Sequence, residues 1–170
     1  MDDSERVVTD PDKARERTMN RAVKLLAAKP RSVAELRERL LEKLWTNREI
    51  VEGVLDRLKE YKYLDDAQFA RDVALSKLRQ RPQGKRALRY AMSRKKVDRE
   101  TADEAVEEAF EKMPEDELIE TALQKRLRLK GVPETREDKK KFFDHLLRLG
   151  FDFDLIRDKM ASIAKDLHEE

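Results

Sequence analysis

Three stretches of this chain carry one apolar skeleton. With Leu36, Leu88 and Phe142 as anchors, 52 and 54 residues apart, position plus four holds Leu40, Met92 and Leu146, and plus nine holds Trp45, Val97 and Phe151. Plus fourteen holds Ile50, Ala102 and Ile156, plus eighteen Val54, Val106 and Met160, and plus twenty-two Leu58, Phe110 and Ala164. All eighteen positions are apolar in a chain that is 45% charged. Steps of four keep residues on one helical face, and the step of five at plus nine marks where one helix stops and another starts. The skeleton therefore predicts an all-α fold: an elongated tandem array of three three-helix repeats, nine helices in all. Residues 1–13 read as a flexible tail, 14–62 as the first repeat, 63–113 as the second and 114–170 as the third.

Local signals place the helices. Ser32-Val-Ala-Glu35 is a capping box that opens the second helix, and Thr46-Asn-Arg-Glu49 has the same form ahead of the third. Arg15 to Lys29 reads as the first helix, stopped by Pro30. Asp65 or Asp66 caps a fourth helix that is expected to bury Phe69, Val73 and Leu78. Arg81-Pro-Gln-Gly84 is a turn, followed by helices over 85–95 and 99–112. Pro114 with Glu115, Asp116 and Glu117 suits a helix start, and Gly150 suits a helix end.

Composition narrows the function classes. A mean hydropathy of −0.88 favours several thin cores over one large one. The chain has no cysteine, so neither a disulfide framework nor a thiolate site exists. Its N-terminal twenty residues lack the apolar core of a signal peptide, and no run approaches the ~18 apolar residues of a membrane span. A cytoplasmic protein is the expectation, and polar terminal helices give a monomer as the expected state.

Net charge is only +2, but it is segregated. Lys77, Arg79, Arg81, Lys85, Arg86, Arg89, Arg94, Lys95 and Lys96 follow one another with no acid between them. From Asp98 to Glu120 there are eleven acids and two bases. A polyanion-binding surface needs several cations on one face, because binding releases condensed counterions. With Leu88 and Met92 turned to the core, Arg86 and Arg89 point outward and Lys85 flanks them. The plainer reading is a solvated helix face, with Arg94, Lys95 and Lys96 placed at a helix C-terminus. The acidic stretch reads as the wet face of a helix that buries Ala102, Val106 and Phe110.

Other features weigh against site chemistry. Trp45, Phe69, Phe110 and Phe151 fall on core positions, whereas Tyr90, beside Arg89, is exposed and is the one candidate for stacking on a base. Lys139, Lys140 and Lys141 form a second basic group, either an anionic contact or a charged helical turn. Asp65 and Asp66 lack a third ligand, and His145 and His168 lack partners, so no metal site, cofactor or catalytic residue is expected. No phosphate loop, nucleophile elbow or zinc-protease helix occurs.

Tyr63-Leu-Asp-Asp-Ala-Gln-Phe-Ala70 resembles the YLDDxxFA signature of the RecX family. Ser32-Val-Ala-Glu-Leu-Arg-Glu-Arg-Leu40, the segment from Gly84 to Val97, and Phe142-Phe-Asp-His-Leu-Leu-Arg-Leu-Gly-Phe151 are similar to that family's three repeats, in order and spacing. Leu44 and Lys96 stand where many members have the helix-ending glycine that Gly150 keeps, and Ala91 replaces a common glutamate. The resemblance implies a non-enzymatic negative modulator of the recombinase RecA, acting in DNA repair, homologous recombination and the SOS response. Such a protein lies along the groove of the RecA–single-stranded-DNA filament and lowers filament extension, ATP hydrolysis, strand exchange and co-protease activity. Arg81, Lys85, Arg86 and Arg89 are then the foremost contact residues. Two other readings stay open: a helical module for single-stranded nucleic acid, and a protein–protein adaptor without RecA specificity.

Overall fold

The computed structural model describes residues 6–166, with side chains described as far as Ile163. Among the described residues there are nine α-helices and no strand: α1 Pro11–Ala28, α2 Val33–Leu41, α3 Arg48–Glu60, α4 Asp66–Gln80, α5 Lys85–Ser93, α6 Arg99–Lys112, α7 Glu115–Lys130, α8 Arg136–Arg148 and α9 Phe153–Asp166. The apolar skeleton forms the interior. Of its eighteen positions Ala164 lies outside the described side chains; fourteen of the other seventeen are buried, and Trp45, Val97 and Met160 are half-buried.

The chain divides into two compact units. One holds the chain up to Ala70 together with Lys95–Thr101; the other holds Arg71–Arg94 together with the chain from Ala102 onward. In the first unit, Ala22 of α1, Leu36 and Leu40 of α2, and Val51, Leu55 and Leu58 of α3 share one core, closed by Leu64. In the second unit, Leu88, Met92, Val106, Ile119, Leu123, Leu146 and Ile156 are each at most 2% exposed.

The helix starts follow the expected chemistry, with two departures, and one helix buries a different face from the one expected. Ser32 accepts from the Glu35 N–H at 3.1 Å, as its capping box predicts. At α3, however, the cap is Asn47, which accepts from the Ile50 N–H at 3.0 Å. Thr46 is fully buried and its hydroxyl bonds that of Thr18 on α1 at 3.0 Å; a tertiary hydrogen bond has claimed the hydroxyl. The helix α1 starts at Pro11, capped by Asp10, so residues 11–13, expected to belong to a flexible tail, are helical. Proline is suited to that first position because its missing N–H has no helical partner to lose. On α4 the buried face is Ala70, Ala74 and Leu78; Phe69 and Val73 are only half-buried.

The two acids after Leu64 do different work. Asp65 caps its own helix, accepting from the Gln68 N–H at 3.0 Å. Asp66 accepts from the Val33 N–H at 2.8 Å and so caps α2 from 33 residues away. Its half-buried place pushes its pKa up, a rise that the Val33 hydrogen bond opposes. The device recurs: Glu115, the first residue of α7, accepts from the Lys85 N–H at the start of α5 at 2.9 Å. In each case the first residue of one helix closes the N-terminus of the helix two before it, where unpaired N–H groups and the dipole favour a carboxylate.

Candidate functional site

The basic run centres on the end of α4, the turn after it and α5. The turn is tied down at two points: the Gln83 side chain donates from Nε2 to the Lys77 carbonyl at 3.2 Å, and the Gly84 N–H donates to the Leu149 carbonyl at 2.9 Å. A β-carbon on Gly84 would lie 2.3 Å from the Gly150 oxygen, and one on Gly150 would lie 2.4 Å from Ala87 Cβ. Bare backbone on both sides therefore seats α5 against the α8–α9 turn. Gly150 also takes φ +86°, which L side chains rarely adopt.

On that seat the cations of α5 face two ways. Lys85 Nζ and Arg89 Nη2 converge on Glu107 of α6, at 2.9 and 2.7 Å. The Lys85 hydrogen bond, joined by the charges of Lys85 and Arg89, holds the Glu107 carboxyl below its usual range, against a smaller opposing effect of burial. Two of the expected contact cations thus meet an acid from the stretch read as a solvated face. Arg86 takes the other direction and donates to the Leu147 carbonyl on α8.

A second cationic group lies on that α8 side. His145 is half-buried, and its pKa is lowered first by burial and then by the charges of Arg126, Arg148 and Arg81. Arg126 lies 5.4 Å over the Phe142 ring, and its buried Nε has no hydrogen-bond partner. Arg126 and Arg148 were not singled out by the sequence: Arg126 sits in the short basic stretch Lys125–Lys130 of α7, Arg148 is near the end of α8, and nothing local links either to α5. Arg148 stands three residues from His145 on α8, whereas Arg126 comes near His145 only through folding.

The remaining candidates are placed as follows. Arg79 and Arg81 are exposed, Lys77 is half-buried, and none of the three is in an ion pair among the described residues. Tyr90 is 68% exposed, as expected beside Arg89. Lys139, Lys140 and Lys141 are exposed on the first turns of α8, about 9 Å or more along the helix from Leu147. Lys141 pairs with Glu137 at 2.8 Å, a bond that raises its pKa. The structure does not bring this group to the Arg86 contact. His168 lies outside the described residues. No cluster of three or more metal-ligating side chains occurs among the described residues, and no described helix is long and apolar enough to cross a membrane.

Helices in threes, repeated along the chain and carrying segregated charge, define a helical-repeat protein. Models of the first, second and third three-helix domains of RecX match residues 19–58, 65–106 and 114–160. The chain belongs to the RecX family. It is 34% identical over 147 residues to the regulatory protein RecX of Prosthecochloris aestuarii, covering 86% of this chain and 93% of that one. To the regulatory protein RecX of Chlorobium limicola it is 34% identical over 143 residues, covering 84% and 86%. A crystal structure of RecX from Lactobacillus salivarius superposes with a TM-score of 0.77 at 19% identity, over 89% of this chain and 96% of that one. That likeness shows the fold alone.

Proposed function

We propose that this protein is a negative modulator of RecA that binds the RecA–single-stranded-DNA filament along its groove in the cytoplasm. It lowers filament extension, ATP hydrolysis, strand exchange and co-protease activity, and does so by binding, without chemistry of its own. Family membership supports the regulatory role. The observation that carries the contact surface is the α4–α5 cation set: Lys77, Arg79, Arg81, Lys85, Arg86 and Arg89 fall between Lys77 and Lys96 with no acid among them. Arg126 and Arg148 join it from α7 and α8 through their nearness to His145. Tyr90 offers an exposed ring beside these cations, and Lys139, Lys140 and Lys141 a secondary anionic contact.

The test is DNA-dependent ATP hydrolysis by RecA with sub-stoichiometric amounts of this protein. Wild type inhibits. The R81E/K85E/R86E/R89E variant inhibits much more weakly at unchanged helical content. No inhibition by wild type ends the RecA reading, and equal inhibition by the variant moves the contact elsewhere.

A further inference from the structure

The end of α8 gathers arginines from four places in the chain. Arg148 is its last residue and stands one helical turn from His145. Arg126 of α7 lies over the ring of Phe142, one turn to the other side of His145. Arg86 of α5 donates to the Leu147 carbonyl. Arg81 leads into the turn whose Gly84 N–H is bonded to the Leu149 carbonyl. All of these residues belong to one compact unit. Phe142 is buried, His145 and Arg126 are half-buried, and Arg81, Arg86 and Arg148 are exposed.

This positive charge has no counter-charge. The side chains of Arg81, Arg126 and Arg148 are in no hydrogen bond or ion pair among the described residues, and the buried Nε of Arg126 lacks an acceptor. Nearby on α5 the outcome is the opposite, since Lys85 and Arg89 share Glu107. Asp144, the acid next to His145 in sequence, points about 100° away round α8. The charges that act on His145 are all cationic: Arg126, Arg148 and Arg81. The last carbonyls of α8 supply only about half a negative charge against four guanidinium groups.

We propose that Arg81, Arg86, Arg126 and Arg148 form a phosphate-binding site around His145 at the end of α8. One carboxylate would leave most of that charge unbalanced. A phosphate group brings up to about two negative charges and several acceptor oxygens, which guanidinium forks bind in pairs. Half-burial of Arg126 and His145 strengthens the attraction over that at an open surface. The site rests on the reading of the α4–α5 cations as a contact surface, and narrows it to the chemistry of one group.

The experiment uses the full chain without RecA, labelled with nitrogen-15, in a His168→Gln background that leaves His145 as the one histidine observed. Inorganic phosphate is added against sodium chloride of equal ionic strength. Phosphate shifts the His145 ring signals saturably and raises the pKa read from them by about half a unit or more, because a nearby anion favours the imidazolium. Arg148→Gln and Arg126→Gln each weaken phosphate binding about tenfold or more. Arg148 is exposed, so its variant remains a test even where Arg126→Gln fails to fold. Tighter binding of an oligothymidylate without terminal phosphates supports a site for the nucleic-acid backbone, and tighter binding of thymidine triphosphate supports one for a free nucleotide. No saturable shift, a shift that chloride reproduces, or unchanged affinity in the folded arginine variants overturns the proposal. Saturable phosphate binding without inhibition of RecA keeps the site and removes the filament reading; inhibition without phosphate binding does the reverse.

Discussion

Glu107 decides how much of the α5 charge is available to a partner. It draws Lys85 and Arg89 together, and an anion arriving at either must compete with a carboxylate already in place. Exposed pairs of this kind contribute roughly 0.2–1 kcal/mol each, so the competition is real but small. Glu107→Gln should therefore shift half-inhibition of RecA ATP hydrolysis to a concentration about two- to fivefold lower. An unchanged or higher half-point would show that Lys85 and Arg89 do not meet the filament. His145 makes a separate prediction, on stability. Its folded pKa lies below the ordinary 6.5, from burial and then from Arg126, Arg148 and Arg81. As pH falls through 6.5 the unfolded chain takes up this proton first, so the folded state loses stability. The contribution is fully present above the unfolded pKa. His145→Gln should flatten the fall in urea midpoint between neutral pH and about pH 5.5; parallel curves for the two proteins would refute the assignment.

At the scale of elements, glycine placement separates backbone contact from mere flexibility. Gly84→Ala forces a methyl to 2.3 Å from the Gly150 oxygen, and the Gly84–Leu149 hydrogen bond cannot survive the shift that relieves it. A loss of about 1–3 kcal/mol is expected, read from urea unfolding. Gly53 sits exposed inside α3 with nothing within 4 Å of an added β-carbon, so Gly53→Ala should stabilise by about 0.5–1 kcal/mol. Opposite signs for the two substitutions are the check. The same contrast explains what the sequence made legible. Helix count, the buried skeleton and the Ser32 cap depend on neighbours three to five residues apart, and periodicity records those. The caps lent by Asp66 to Val33 and by Glu115 to Lys85 span 33 and 30 residues and leave no local trace. Thr46 failed as a cap for a like reason, since its hydroxyl found Thr18. In the candidate site the basic run was visible as composition. The pairing of Lys85 and Arg89 with Glu107, and the approach of Arg126 to His145, required the folded chain.

For the whole molecule, the question is whether total charge or its arrangement governs binding. A net charge of +2 on 170 residues gives little general attraction to a polyanion. Exposed charges more than a Debye length apart, about 8–10 Å in physiological buffers, are largely screened from one another. A partner therefore responds to the cations it touches and not to the sum. Two substitutions with the same effect on the sum separate these cases. Lys24→Glu, on an exposed position of α1, and Arg81→Glu, at the α4–α5 turn, each lower the net charge from +2 to zero. Inhibition of RecA ATP hydrolysis should stay within about twofold of wild type for the first and weaken by about five- to tenfold for the second. Raising the salt from about 50 to 200 mM should narrow the gap between Arg81→Glu and wild type, because the lost contact is one that counterions replace. Equal weakening by both variants would instead assign the interaction to overall charge, and the local surface would lose its claim.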